Sequence, residues 1–421
     1  MNVNFSAARP WLLLACFALG ISALLAILLV LSRAPHVQEW FGLQSLFHTI
    51  LVLHVNFAVL VWLLSFIGFI WVYHLTALHS SLNLLALALC SVGALLMLIS
   101  PLFGDVMPIM SNYVPVINSS IFFLGLCLFV LAISILGGFV IREHDWGVMK
   151  ASAMMWFVAL FVFSIHFMVL EKSGSVTFFE RLFWGAGHVL QFVYILILWL
   201  VWRWPNTTLL ISQSRIVLVI VLFALGFMVF LNPEGIASRQ AYTLLMQGGM
   251  FLLLLPMLWW WTREVKSNRL LDKTINVSIA SSAFLILLGV IIGLLIRDDS
   301  VIVTAHYHAT NAAITVAFMG LVYRFIPYYS LKSISNKWQS IQLYLYALGM
   351  VFYVLGMAGS GLLGVPRKTA MMVDDSLERI SMGIMGLGGA LSILATLLFM
   401  GFIFYAFTGK YRVTDQEKLR N

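Results

Sequence analysis

The sequence predicts an all-α integral membrane protein, one bundle of twelve transmembrane helices over residues 1–421, and three observations carry that prediction. Hydrophobic residues make up 62% of the chain and charged residues only 10%, whereas soluble domains carry about 25% charged residues. Apolar runs of about 20 residues, the length that spans the hydrocarbon core of a bilayer, recur from end to end. Short connections join them, so no water-soluble domain hangs from the bundle. A chain this apolar cannot hide its surface inside a core surrounded by water. That excludes a cytosolic enzyme, a disordered tail and a secreted disulfide scaffold.

The runs follow in order. The first begins near Trp11; it is too long for a signal-peptide core and lacks a small-residue cleavage site after it, so it reads as a true span. The second begins near Gln44 and carries His54 about ten residues in. The third and fourth, from Leu84 and Ile121, hold Cys90 and Cys127, as the first holds Cys16. Each cysteine sits alone in its run, so no CxxC metal site, CxxCH haem attachment or surface disulfide can form; they read as small buried residues. The fifth, from Ala151, reaches His166 near its outer end. The sixth, from Phe178, carries His188. The seventh, eighth and ninth begin near Leu210, Gln240 and Thr274. The tenth, from Ser300, carries His306 and His308. The last two begin near Ile341 and Glu378.

Lys and Arg set the orientation, because cytoplasmic loops keep the excess. With the N-terminus inside, most of the 24 Lys and Arg residues fall on the cytoplasmic side, including Arg142, Lys150, Arg263, Lys266, Arg269 and the C-terminal Lys410 to Arg420 cluster. Both termini are then cytoplasmic. The net charge of +8 is mostly this orientation signal, and it gives no support to a nucleic-acid partner.

Titratable groups at membrane depth are costly and mark function. The 16 acidic residues cluster at run ends and loops, among them Glu171, Glu180, Asp298, Asp299, Asp374, Asp375 and Glu378. The deep titratable residues are histidines: His54, His166, His188, His306 and His308. That pattern is unlike an ion-coupled transporter, which uses a buried carboxylate or a broken helix at the midplane. Counted along their runs at 1.5 Å per residue, His54, His188, His306 and His308 share one layer in the outer half of the membrane, as a single metal-cofactor layer would. On a helix, His306 and His308 point about 200° apart. They cannot serve one metal, but they can serve two cofactors on opposite sides, and neutral imidazole is a usual axial ligand of haem iron. A lone histidine such as His166 reads more simply as a satisfied core residue, because interhelical hydrogen bonds are common. His48 reads as interfacial, and His74 and His79 as solvated loop residues.

These residues resemble subunit I of the haem-copper oxidase superfamily, which holds cytochrome oxidases and bacterial nitric oxide reductases. Ala305-His306-Tyr307-His308, with the apolar run ending near Tyr323, is similar to the family's tenth helix. His54-Val55-Asn56, with the stretch to Tyr73, resembles its second helix, and Phe183-Trp184-Gly185-Ala186-Gly187-His188 the start of its sixth. Ser238-Arg239-Gln240-Ala241-Tyr242 resembles the start of the eighth, and Gly364-Val365-Pro366-Arg367-Lys368 the outer loop before the twelfth. The resemblance implies an oxidase-like bundle with two haems of b type. His54 and His308 would hold a low-spin haem, and His306 a high-spin one. His188 would lie on the distal side of the second haem, as a hydrogen-bond donor to a bound gas or as a closing ligand. Tyr307 would lie between the haems, and Arg367 and Lys368 would meet the propionates.

The departures bear on activity. The family's second metal, copper or non-haem iron, takes adjacent histidines from the seventh helix, where this chain reads Gly226-Phe227-Met228-Val229-Phe230. One imidazole, His188, cannot build a three-coordinate copper site, so copper or non-haem iron has poor support. Position 192 is Phe where many oxidases place a tyrosine. The reductase branch's glutamate ligands and the family's proton-channel carboxylates or lysine lack evident counterparts, and proton pumping is not expected. The reading is a multi-pass protein of the bacterial inner membrane that passes electrons through one haem to another that binds or reduces O2 or NO. The competing reading is a gas sensor, buffer or electron relay that has lost the second metal; a transporter with incidental histidines is a third. Electrons would come from a cytochrome, a cupredoxin or a quinol, and a small partner subunit is a further expectation.

Overall fold

The computed structural model describes residues 4–32, 43–75, 80–104, 106–143, 147–204, 211–228, 231–266, 273–297, 300–329, 332–365 and 376–408. Almost all of them are helical. Eleven helices among the described residues are long and apolar enough to cross a membrane. The seventh run of the sequence corresponds to a further helix of 18 residues, Ile211–Met228. The chain divides into two compact units, Met1–Ser267 and Asn268–Asn421.

In the first unit, α1 (Phe5–Leu31) is started by Asn4, whose side chain accepts from the Ala7 amide at 3.3 Å. The second span is built in three parts, α2 (Leu43–Val55), a π-helical turn (Asn56–Val61) and α3 (Trp62–His74). Every residue of α3 is buried, and a helix apolar on all sides belongs at the centre of a bundle. A π turn leaves carbonyls out of the α ladder. Here the Val59 carbonyl accepts from the Tyr194 hydroxyl at 3.3 Å. The Asn56 amide donates to the carbonyls of Val52 and Pro115 at 2.9 and 2.7 Å.

Helices α4 (Ser80–Ile99) and α5 (Ser120–Glu143) cross where Gly93 and Gly125 meet; a Cβ on either would come 2.6 Å from the other's carbonyl oxygen. Small residues of this kind let membrane helices pack backbone to backbone. Trp11, fully buried, ties α1 to α4 by donating to Asn83 Oδ1 at 2.9 Å. Between α4 and α5 lies a short antiparallel ribbon, β1 (Met107–Ile109) and β2 (Val116–Asn118), with Pro108 opposite Ile117. Then come α6 (Val148–Val169), α7 (Val176–Trp202), α8 (Ile211–Met228) and α9 (Ile236–Lys266). Helix α7 is buried over most of its length. Elsewhere large apolar side chains such as Phe17, Leu84 and Phe251 face outward, which is stable only where the surroundings are lipid.

The second unit holds α10 (Lys273–Gly293), α11 (Val301–Tyr329), α12 (Asn336–Leu362) and α13 (Ser376–Phe407). Glycines again set the crossings. A Cβ on Gly289 of α10 would meet Thr310 at 2.7 Å, and one on Gly349 of α12 would meet the Ser392 amide at 2.6 Å. Buried Gln342 accepts from Tyr323 at 2.8 Å and donates to the Ala395 carbonyl at 3.1 Å, which joins α11, α12 and α13. After α12 the chain turns through Gly364, at φ 85°, and Val365 accepts from the Val301 amide at the start of α11.

Candidate functional site

The four histidines expected from the sequence to matter, and His166, which was expected to be a satisfied core residue, share one local arrangement. His54, at the end of α2, has Nδ1 2.9 Å from the Ser22 carbonyl, with the Ser22 hydroxyl also within 3.2 Å. His166 in α6 has Nδ1 3.0 Å from the Arg181 carbonyl. His188 in α7 has Nδ1 2.7 Å from the Trp184 carbonyl, and His306 in α11 has Nδ1 2.7 Å from the Gly289 carbonyl. His308 has Nδ1 2.8 Å from the Thr304 carbonyl one turn back. A carbonyl can only accept, so each Nδ1 carries the proton. In the neutral ring Nε2 is then the basic nitrogen. For His54 and His306, Nε2 has no hydrogen-bond partner among the described residues. Metal-bound histidines are oriented by this same outer hydrogen bond.

The two histidines of α11 point to different neighbours. His306 lies against α10, where a Cβ on Gly293 would come 2.8 Å from its Nδ1. The small-residue pair Gly289 and Gly293 makes room for the ring and supplies its carbonyl. His308 stands beside Tyr353 of α12, with ring centroids 5.1 Å apart, and is stacked on Tyr307 at 4.9 Å. The divergence expected from the helical period is therefore present. Tyr307 packs along His308, and its carbonyl accepts from Thr310 at 3.2 Å.

His188 is the exception in its second nitrogen. Nε2 is 3.0 Å from the Tyr113 hydroxyl and 3.3 Å from the Thr243 hydroxyl. Thr243 donates to the Arg239 carbonyl at 3.0 Å, so Tyr113 is the donor to His188. Tyr113 comes from the ribbon between β1 and β2, where it holds a left-handed backbone, φ 67°, a costly conformation outside glycine. Ser111 braces that turn through the Val114 carbonyl at 2.7 Å, and Asn56 braces it through Pro115. Burial pushes the Tyr113 hydroxyl pKa up, which keeps it protonated and a donor. The glycines of Trp184-Gly185-Ala186-Gly187-His188 acquire a reason. Gly187 lies directly under the Tyr113 ring, and Gly185 under that of Tyr242. Trp184 closes the group: its indole donates to the Arg239 carbonyl at 3.1 Å, and the Arg239 guanidinium lies 4.4 Å from its ring.

Sequence reasoning missed Tyr113, Thr243 and Ser22. Among the described residues no group of three or more His, Cys, Asp or Glu side chains gathers into a metal cluster. A haem brings its own equatorial nitrogens and asks the protein for only one or two axial imidazoles. Of the proposed propionate partners, Arg367 and Lys368 lie outside the described residues, as do Val229 and Phe230.

No family model matches the chain. It is similar to an uncharacterized protein, RP382, of Rickettsia prowazekii (strain Madrid E), 26% identical over 94% of this chain and 95% of the relative. An uncharacterized protein of Aquifex aeolicus (strain VF5) is 26% identical over 75% of this chain and 83% of its own length.

Proposed function

We propose that this chain is a membrane haem protein of the terminal oxidase and nitric oxide reductase type, a twelve-helix oxidase-like bundle of the bacterial inner membrane. The observation that carries the reading is the shared state of three imidazoles. His54, His306 and His308 each have Nδ1 fixed on a backbone carbonyl, which sets one tautomer and one ring plane and leaves Nε2 basic. In this reading His54 and His308 are the axial ligands of a low-spin b-type haem, and His306 is the proximal ligand of a high-spin one. Bound haem would supply electron transfer and an iron able to take O2 or NO. Gly289 and Gly293 hold His306 in place, Tyr307 and Tyr353 flank His308, and Arg367 and Lys368 are assigned to the propionates. The electron donor would be a cytochrome, a cupredoxin or a quinol, with a small partner subunit as a further expectation.

The Tyr113 hydroxyl on His188 Nε2 favours one variant. In that variant His188 Nε2 stays on the Tyr113 hydroxyl and serves as a polar group beside the bound gas, rather than as a closing ligand. That supports a gas-binding sensor, buffer or relay that works without the second metal, beside the catalytic reading. The test is a carbon monoxide difference spectrum of the dithionite-reduced, detergent-purified protein, with haem quantified on the same sample. The expected result is two haems per chain and a spectral shift on half of them. Two haems and no shift would leave the relay alone standing, and protein that stays haem-free after haem supplementation would overturn the reading.

A further inference from the structure

His166 is buried and takes no part in the proposed haem site, yet it lines a cavity of about 430 Å³. The walls are Val162, Ile165 and Val169 on the same face of α6, Met228 at the end of α8 and Tyr242 of α9. Ligand cavities are typically about 300–1,000 Å³, mostly apolar, with a few placed polar groups. The polar groups here are complementary and neutral. His166 donates from Nδ1 to the Arg181 carbonyl, so its Nε2 can only accept. The Tyr242 hydroxyl has no partner among the described residues. Asn232, also on the lining, uses its carbonyl oxygen on the Glu234 amide at 2.9 Å, which leaves its NH2 to donate. The described lining holds no Lys or Arg, and the guanidinium of Arg181, whose carbonyl holds His166, is engaged by Glu234 at 3.6 Å, so the lining offers no cation to a carboxylate or phosphate. The His166 and Tyr242 rings meet edge to face at 5.6 Å, and a thioether such as that of Met228 packs well on a flat aromatic ring. The neighbouring Phe167, Met168 and Val169 are exposed and apolar, so the approach is from the lipid side.

We propose that this cavity binds the headgroup of a lipid-soluble hydroquinone, one phenolic O–H donating to His166 Nε2 and the far oxygen accepting from Tyr242 or Asn232. A planar, neutral, membrane-borne diol matches the walls, the polar pattern and the point of entry together. The inference does not rest on the haem reading, because binding is measured whatever the haem content.

The full-length protein in detergent is dialysed to equilibrium against decylubiquinol and, separately, against decylubiquinone. The reduced form is expected to bind about tenfold tighter, because the oxidised ring has no O–H for His166. His166→Leu should erase that preference. Val169→Trp fills the cavity from a side chain that is already 59% exposed; it should weaken both forms at least about tenfold, with helical content and Tm unchanged. Equal affinity for the two oxidation states in the unaltered protein would overturn the proposal, as would binding indifferent to Val169→Trp. Displacement of the quinol by oleate at equal concentration would also overturn it, since the cavity would then be an ordinary lipid groove.

Discussion

Replacing Gly187 with alanine should destabilise the protein, although alanine is the better helix former. A Cβ at this position meets three atoms of the Tyr113 ring, Cγ, Cδ1 and Cδ2, closer than real Cβ contacts allow. These atoms are the base of the ring, not its mobile tip, so the ring cannot pivot away without moving its backbone. That backbone is held at φ 67° by the ribbon. The overpacking costs about 1–3 kcal/mol. Expelling the ring also breaks the Tyr113–His188 hydrogen bond, about 0.6–1 kcal/mol in a membrane protein. The sum is about 2–4 kcal/mol. In a Tyr113→Ala background the obstacle is gone, and Gly187→Ala should instead stabilise by about 0.5–1 kcal/mol through helix propensity. Thermal unfolding of the four proteins in one detergent measures this double-mutant cycle. An alanine cost that is the same in both backgrounds would refute the contact between Gly187 and Tyr113, and with it the route by which the ribbon reaches His188.

Three further outcomes follow from the same geometry. Burial raises the Tyr113 pKa above its unfolded value of 10.0, so the stability it contributes is complete below pH 10 and is lost as pH rises beyond it; Tyr113→Phe should therefore show a smaller fall in Tm between pH 9 and 11 than the unaltered protein, and equal falls would contradict the assignment. Asn83→Leu removes the acceptor of the buried Trp11 indole and the donor to the Ala7 carbonyl, 2.9 and 3.2 Å away; a loss of about 1–3 kcal/mol is expected in chemical unfolding, and no loss would mean these bonds are dispensable. Gly293→Leu drives a side chain into the His306 ring, whose Nδ1 would lie 2.8 Å from even a Cβ. It should abolish the carbon monoxide shift and leave the other haem's spectrum intact, whereas an unchanged shift would remove His306 from the high-spin site.

The sequence exposed what a one-dimensional pattern can encode. Apolar runs marked the spans, because each must satisfy its own backbone in lipid. The helical period alone sent His306 and His308 to different sides, as their contacts with Gly289 and Tyr353 bear out. The group around His188 was only half visible. Tyr113 stands 75 residues earlier in a ribbon with no helical period, and its left-handed backbone is unusual for an aromatic residue. The hint that existed was the pair Gly185 and Gly187, whose missing side chains make room for the Tyr242 and Tyr113 rings. The Ser22 carbonyl that orients His54 could not have been read at all, because every residue carries a carbonyl and only the fold decides which one is aimed at a ring.

The π turn at Asn56–Val61 has a bearing on how this span could have arisen and how it could be edited. A π turn holds one residue more than the α-helix it interrupts, and one residue is about 100° of rotation. His54 before the turn and the buried run of α3 after it are therefore out of phase with a continuous α-helix. Removing one residue from Asn56–Val61 would restore the plain helix and swing the His54 imidazole about a quarter turn from Ser22, with every residue of α3 left at its station. The turn acts as a phase adjuster, set by a single inserted residue, that lets a uniformly apolar span aim one imidazole independently of the packing that holds it.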